Sequence, residues 1–264
     1  MNPDSQISSD QKLEEWENGR RVLLGVQVLT RSSAVCELAG AVGFDGAWLE
    51  LEHGAASFET LEAMCIACRA GNAIPIARIP DHERHHVLRT LEVGARIVVV
   101  PMINNAARAR DVVRGGKFAP LGERGFNTGS RGLRYGLVER EENFAWANAH
   151  THLVAQIETV EAVSNLDEIL AVEGLSGVLV GPGDLSSSLG IPGQQEHPKL
   201  IETVLNIIGR ARAAGRHACI LAQPPLLKIA AEAGADLMIC GSDTKTLAAA
   251  WTTLLEGVRG GFAD

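Results

Sequence analysis

The sequence predicts a (β/α)8 barrel. Three observations carry that prediction: eight short apolar runs rich in Val, Ile and Leu, segments of helical periodicity between them, and a recurring small-residue–glycine junction ahead of the next run. The runs fall at 22–29, 46–52, 74–79, 96–102, 153–158, 177–182, 217–222 and 237–241. After the first, 32–42 sets Ala34, Val35, Leu38, Ala39 and Val42 at helical spacing, and 58–70 and 82–93 repeat the pattern. Gly43, Gly71, Gly94 and Gly215 stand where these helices should end, as C-terminal caps. Val42-Gly43, Ala70-Gly71, Val93-Gly94, Ala214-Gly215 and Ala233-Gly234 mark the same junction each time. Eight alternating units favour closure over an open doubly wound sheet. No G-x-G-x-x-G follows the first strand, so the dinucleotide-binding alternative lacks its fingerprint.

One barrel domain accounts for the whole of 1–264. Two regions break its rhythm. An N-terminal extension, 1–20, contains a charged helical stretch from Lys12 to Asn18, expected to close the bottom of the barrel. A long loop region, 116–150, contains KFAPLGERGFNTGSRGLRYG and exceeds an ordinary connection. Its arginines, Arg124, Arg131, Arg134 and Arg140, beside Glu139, Glu141 and Glu142 suit a binding or subunit-contact segment and a solvated surface equally.

Charge and composition narrow the function classes. A formal net charge of −8 argues against a nucleic-acid partner, which calls for a basic footprint. No apolar run approaches the ~20 residues that span a bilayer, and Met1 to Arg20 is polar with no secretory hydrophobic segment. Five cysteines at Cys36, Cys65, Cys68, Cys219 and Cys240 make no disulfide framework, and C-x-x-C at 65–68 has no second pair to complete a zinc site. These features lead us to expect a cytoplasmic protein without nucleic-acid or membrane partners.

In such a barrel, functional groups gather at the C-terminal ends of the strands. Strand two ends in LELEHG, strand three in IARIP, strand four in VVVPM, strand five in AQIET and strand six leads into GPGDLS. Glu158 and Asp184 therefore reach the same rim from neighbouring strands about 5 Å apart. Two carboxylates there either hold a divalent cation such as Mg2+ or Mn2+ with water and substrate ligands, or are unrelated, one of them capping a helix. His53, flanked by Glu50 and Glu52, suits a general base. Arg78, between Ile76 and Ile79, needs an anionic partner, from the protein or from a substrate. Gly181, Pro182 and Gly183 form a turn whose backbone N–H groups can approach a ligand. His82, His85 and His86 after an N-capping Asp81 read as helix surface, and His150 and His152 belong to the bottom rim.

Taken together, GFDGAWLELEHG, PIARIP, VGARIVVVPM, PLGERG, QIET, VEGLSGVLVGPGDLS and the HP at 197–198 resemble the class II pyruvate aldolases of the 4-hydroxy-2-oxoheptanedioate and 2-keto-3-deoxy-sugar-acid aldolase family. The resemblance runs from about residue 22 to the last strand. It implies a phosphoenolpyruvate/pyruvate-like barrel whose last helix exchanges with a neighbour, in a homo-oligomer that is usually a hexamer built from dimers. It implies that Glu158 and Asp184 hold a divalent metal (Mg2+, Mn2+ or Co2+, with Zn2+ as a further option). The 2-oxo acid would chelate the metal, with backbone N–H groups near Gly183 and Asp184 on its carboxylate and Gln156 near its keto oxygen. Arg78 would stabilise the enolate oxygen, and His53 would serve as, or activate, the base.

The resemblance further points to Leu221 and Gln27 as substrate contacts, and to Glu50 and Glu92 as carboxylates beside the histidine. Glu50 and Glu92 stand where family members commonly have Asp, and Gln27 where Trp is frequent, which would make the aldehyde side more polar. No strand carries a Lys, so a Schiff-base mechanism has no obvious nucleophile. The competing readings are a citrate-lyase-β-like or malyl-thioester lyase and a metal-binding protein without turnover. The first finds no basic nucleotide pocket in the sequence. The second predicts missing ligands, yet His53, Arg78, Glu158 and Asp184 are all present.

Overall fold

The computed structural model describes residues 7–260. Residues 1–6 of the expected N-terminal extension, and 261–264, lie outside the described residues. Eight parallel strands close into a ring in sequence order: β1 (Leu23–Val28), β2 (Gly46–Glu50), β3 (Ile74–Arg78), β4 (Ile97–Val100), β5 (His152–Ile157), β6 (Gly177–Val180), β7 (His217–Ala222) and β8 (Leu237–Ser242). Each of the eight apolar runs coincides with one strand, with ends that differ by up to two residues. β1 pairs with both β2 and β8, with a register shift between Gly25 and Gln27 on the β8 side.

Strand residues alternate between the helix-covered outside and the barrel interior. The interior is filled by Leu23, Trp48, Ile74, Ile76, Ile97, Val99, Val154, Leu179, Cys219, Leu237 and Ile239. Leu13 and Trp16 of the N-terminal helix Ser9–Glu17 join the same cluster, so this helix plugs the bottom. Ser8 and Gln11 fix its start with a reciprocal capping box. Lys12 is fully buried, its ammonium donating to the Phe44 and Asn72 carbonyls at 3.4 and 3.1 Å. Two positions further along the inward face from Trp48, Ile76, Val154 and Leu179 come Glu50, Arg78, Gln156 and Gly181. The interior thus changes from apolar to polar as it approaches the C-terminal rim, and that change positions the site.

Gly43, Gly94 and Gly215 end their helices with left-handed φ of 110°, 106° and 69°. Gly71 caps its helix as expected but with a φ of −83°, and Asn72 after it takes the left-handed position with φ 62°. Gly71 also serves close approach. A Cβ there would overlap the Glu37 carbonyl oxygen, and a Cβ on Gly40 would overlap the Gly71 carbonyl oxygen. The helices Ser33–Ala41 and Phe58–Ala70 consequently pack backbone to backbone. The helix expected at 82–93 spans Arg84–Glu92 with Glu83 at its cap, and Asp81 accepts from the Glu83 N–H at 2.9 Å, two residues before the cap.

Region 116–150 holds a 3-10 turn (Arg131–Gly136) and a helix (Arg140–His150) around Phe118, Leu133 and Ala147. Arg131, Arg134 and Trp146 line a groove of about 390 Å3 together with Asp10 and Gln11, so the segment lies toward the N-terminal end of the barrel. Its arginines are not uniformly solvated: Arg124 is buried over Phe118, and Arg134 stacks on Trp146 at 3.9 Å. The last helix, Asp243–Gly260, is tied down only at its start. Asp243 is its single buried residue, accepting from the Leu29 and Thr30 N–H groups at 2.9 and 3.0 Å. No helix among the described residues is long and apolar enough to cross a membrane. All five cysteines are free, and burial raises the Cys65 thiol, so the C-x-x-C pair is structural.

Candidate active site

Glu50 and Arg78 are register partners on β2 and β3. Both point inward, and both are buried. Arg78 Nη2 and Nε donate to Glu50 Oε2 at 2.6 and 2.9 Å, and Trp48 Nε1 donates to the same oxygen at 3.0 Å. Glu50 Oε1 accepts from the backbone N–H groups of Glu52 and His53 at 2.8 and 3.1 Å. Burial opposes its charge, but these partners, Arg78 foremost, hold the carboxyl below the usual carboxylate range. Glu50 therefore fixes the Arg78 fork and the turn that carries His53. It meets the backbone of His53 and not the ring.

Arg78 Nη1 also lies 3.0 Å from Glu52 Oε2, close enough for an ion pair although that oxygen has no aligned hydrogen bond. Burial raises the Glu52 carboxyl; the charges of Arg78 and His53 oppose the rise, and those of Glu50 and Asp184 add to it. The His53 ring is two-thirds exposed, with Nε2 3.9 Å from Glu52 Oε2.

Across the barrel mouth, Glu158 follows β5. Its Oε1 accepts from the Met102 N–H at 2.7 Å, and its Oε2 accepts from Gln156 Nε2. Met102 sits at φ 55°, a left-handed conformation that costs a non-glycine residue roughly 1 kcal/mol or more. That backbone aims its N–H at the carboxylate. Burial raises the Glu158 carboxyl, Met102 and Gln156 hold it down, and Asp184 and Glu52 repel it further upward. Gly181 at the end of β6 leaves room: a Cβ there would meet Gln156 Nε2 and Glu158 Oε2 at 3.1 Å. Pro182, Gly183 and Asp184 are not a free turn but the first turn of a short helix, Pro182–Ser188, which presents Asp184 exposed at the rim.

His53, Arg78, Gln156, Gly183, Asp184 and Leu221 line one cavity of about 350 Å3, together with Gln195, Gln223 and Lys245. A larger groove of about 690 Å3 on the barrel flank holds none of these groups. Glu158 and Asp184 are like charges within electrostatic reach, and among the described residues neither makes an ion pair. Gln156 Oε1, buried beside them, has no partner. Two carboxylates and an amide oxygen form an oxygen-only donor set suited to a hard divalent cation. No group of three His, Cys, Asp or Glu among the described residues could hold a metal, so a cation held by this pair would need further ligands from water or substrate.

The structure does not bring every expected residue here. Glu92 closes the helix Arg84–Glu92, which returns the chain to the N-terminal end before β4, and its charge acts on Arg124. Gln27, next to last in β1, lies on the inward face beside Trp48 and Ser242 in register, but does not line the cavity. Gln195, Gln223 and Lys245 were missed in the sequence. Applying the strand-end rule to strands seven and eight would have found Gln223 and Lys245, since each lies within three residues of its strand.

Residues 24–250 match the model of the HpcH/HpaI aldolase/citrate lyase family, to which the chain belongs, and this membership makes it a carbon–carbon lyase of the aldolase type. It is 35% identical over 223 residues to the 2-keto-3-deoxy-L-rhamnonate aldolase of Klebsiella pneumoniae, covering 84% of this chain and 83% of that one. It is 32% identical over 237 residues to the hydroxypyruvate/pyruvate aldolase of Roseobacter denitrificans, covering 87% and 92%. The crystal structure of an HpcH/HpaI aldolase from Desulfitobacterium hafniense superposes with a TM-score of 0.85 at 30% identity, covering 94% and 95% of the two chains.

Proposed function

We propose that this chain catalyses the reversible cleavage of a 4-hydroxy-2-oxo acid to an aldehyde and pyruvate, or a close 2-oxo acid, through an enolate. The observation that carries the reading is one cavity lined by a buried, Glu50-anchored Arg78, the Asp184 carboxylate and Gln156, whose Oε1 is open and whose Nε2 donates to the Glu158 carboxylate.

Cleavage removes the 4-hydroxyl proton, breaks the C3–C4 bond and leaves the electron pair as an enolate at C2. Glu158 and Asp184 would hold a divalent cation, which would supply Lewis-acid polarisation of the 2-oxo group. The relief of their mutual repulsion favours such an ion, and the oxygen-only donors favour Mg2+, Mn2+ or Co2+ over softer metals. The Arg78 guanidinium stabilises negative charge at the enolate oxygen, preorganised by Glu50 so that little reorientation is needed in the transition state. His53 takes the hydroxyl proton, with Glu52 behind it, and a proton returned to C3 completes pyruvate. Backbone N–H groups at Gly183 and Asp184 receive the substrate carboxylate.

Methyl-proton exchange of pyruvate in D2O, followed by NMR, tests the reading. Exchange should be absent after EDTA treatment and return with Mg2+ or Mn2+. Absence with every metal would remove pyruvate as the donor.

We place the protein in the cytoplasm, in keeping with its five free cysteines, as a homo-oligomer, with a hexamer as the family-type assembly. Support comes from the last helix, where Trp251, Leu254, Leu255 and Val258 are exposed, and from Val22, Leu24, Leu38 and Val42, exposed around β1 where an eighth barrel helix would otherwise lie. Trp251→Glu with Leu254→Glu should shift the mass seen by light scattering to a smaller species. An unchanged mass would count against exchange through this helix.

A further inference from the structure

The cavity has two chemically different sides. One carries Asp184, Arg78 and Gln156, with the Glu158 carboxylate bound to Gln156, assigned above to the 2-oxo acid. The other is bounded by Leu221 of β7, Gln223 just after it, and Lys245 in the first turn of the helix that follows β8. The two cations on the cavity differ in their commitments. Arg78 is bound to Glu50 and Glu52. Lys245 is exposed, and no carboxylate among the described residues pairs with its ammonium. Its nearest acidic neighbour in sequence, Asp243, is buried and engaged by the N–H groups of Leu29, Thr30 and Thr244. The first-turn amides of an 18-residue helix add potential of the same sign.

We propose that Lys245 is a specificity-determining residue that receives an anionic group, carboxylate or phosphate, at the far end of the aldehyde half of the substrate. The proposal rests on the aldolase reading above and deepens it. Leu221 lies along the intervening carbon chain, and the Gln223 amide offers a second donor to the anion. A neutral aldehyde leaves this cation without a partner and gains only the apolar contact. An anionic one forms a charge-assisted hydrogen bond in a partly enclosed cavity.

The experiment measures wild-type pyruvate proton exchange first, then steady-state aldol addition of pyruvate to three aldehydes: propanal, succinic semialdehyde and glyceraldehyde 3-phosphate. The wild type should favour one of the two anionic aldehydes over propanal by about 10-fold or more in kcat/KM, the scale of one hydrogen bond to a charged group. The favoured anion identifies the source as carboxylate or phosphate. Lys245→Met should erase the preference mainly through KM, Lys245→Glu should reverse it, and Lys245→Arg should keep most of it. Equal use of charged and neutral aldehydes by the wild type, or a preference that survives in both Lys245→Met and Lys245→Glu, overturns the assignment of Lys245 alone. Absence of pyruvate exchange in the wild type overturns the aldolase reading beneath it.

Discussion

Replacing His152 with Gln should flatten the loss of stability that this barrel suffers between pH 6.5 and 4. The His152 ring is buried at the bottom of the barrel, 6% exposed. Its Nε2 is 2.8 Å from Glu17 Oε1, its Nδ1 is 3.2 Å from Ser176 Oγ, and it stands edge-on to Trp16. Burial pushes the imidazole down from 6.5 to about 4; Glu17 opposes the fall, and Lys117 and His217 reinforce it. Between those two values the unfolded chain binds a proton that the folded chain refuses, so stability must fall as the pH falls through this window. The displacement corresponds to about 3 kcal/mol at its acid end. The Glu17 carboxyl acts in the same direction at lower pH. Burial resists its ionisation, yet His152 and His150 hold it below the usual range, and that contribution disappears as the pH drops through its folded value. Urea unfolding midpoints at pH 7, 6, 5 and 4 measure the effect. The variant should start lower at pH 7, having lost an imidazole partner of Glu17, and then decline less steeply than the wild type. Parallel curves across the window would refute the argument, because they would mean that His152 takes up the same number of protons folded and unfolded.

Glu158→Gln should abolish metal-stimulated pyruvate exchange by about 100-fold or more while leaving the thermal midpoint unchanged or slightly higher, since burial and two neighbouring carboxylates already disfavour its charge; retained exchange would remove its metal role. Glu50→Ala leaves Arg78 buried without its aligned partner and should cost about 3–5 kcal/mol in urea unfolding. An unchanged midpoint would show that Glu52 alone satisfies the guanidinium. Two glycine substitutions should have opposite signs. Gly40→Ala forces a methyl into the Gly71 carbonyl and should destabilise by about 1–3 kcal/mol or more, whereas Gly209→Ala, in an exposed helical position with open space around it, should stabilise by up to about 1 kcal/mol. Differential scanning calorimetry of the pair reads both, and shifts of the same sign would contradict the packing argument.

The barrel could be read from the sequence because its signals are local and repeated. Each strand is a short β-branched run, and the junction glycines recur where a left-handed residue ends a helix, so eight weak signals add to one strong one. The rim followed from a rule of topology, that strand ends face the site, which pointed to His53, Arg78, Glu158 and Asp184, while Gln156 came from the family resemblance. The pattern says less where chain position and spatial position part company. Glu92 was expected beside the histidine through the family resemblance, and nine helical residues rising about 1.5 Å each carry it toward the opposite end of this barrel. Gly71 caps its helix as the pattern indicates, but it also meets Glu37 across a helix pair, and no periodicity within one helix records that. Lys245 was passed over because only strands were searched for lysines, whereas a long side chain on the first turn of the next helix reaches the same cavity. What sequence patterning conveys well is therefore which face of an element is buried. Which distant groups share a cavity depends on how far each element carries the chain and how far each side chain then extends, and both must be laid out in space before a residue can be given a role.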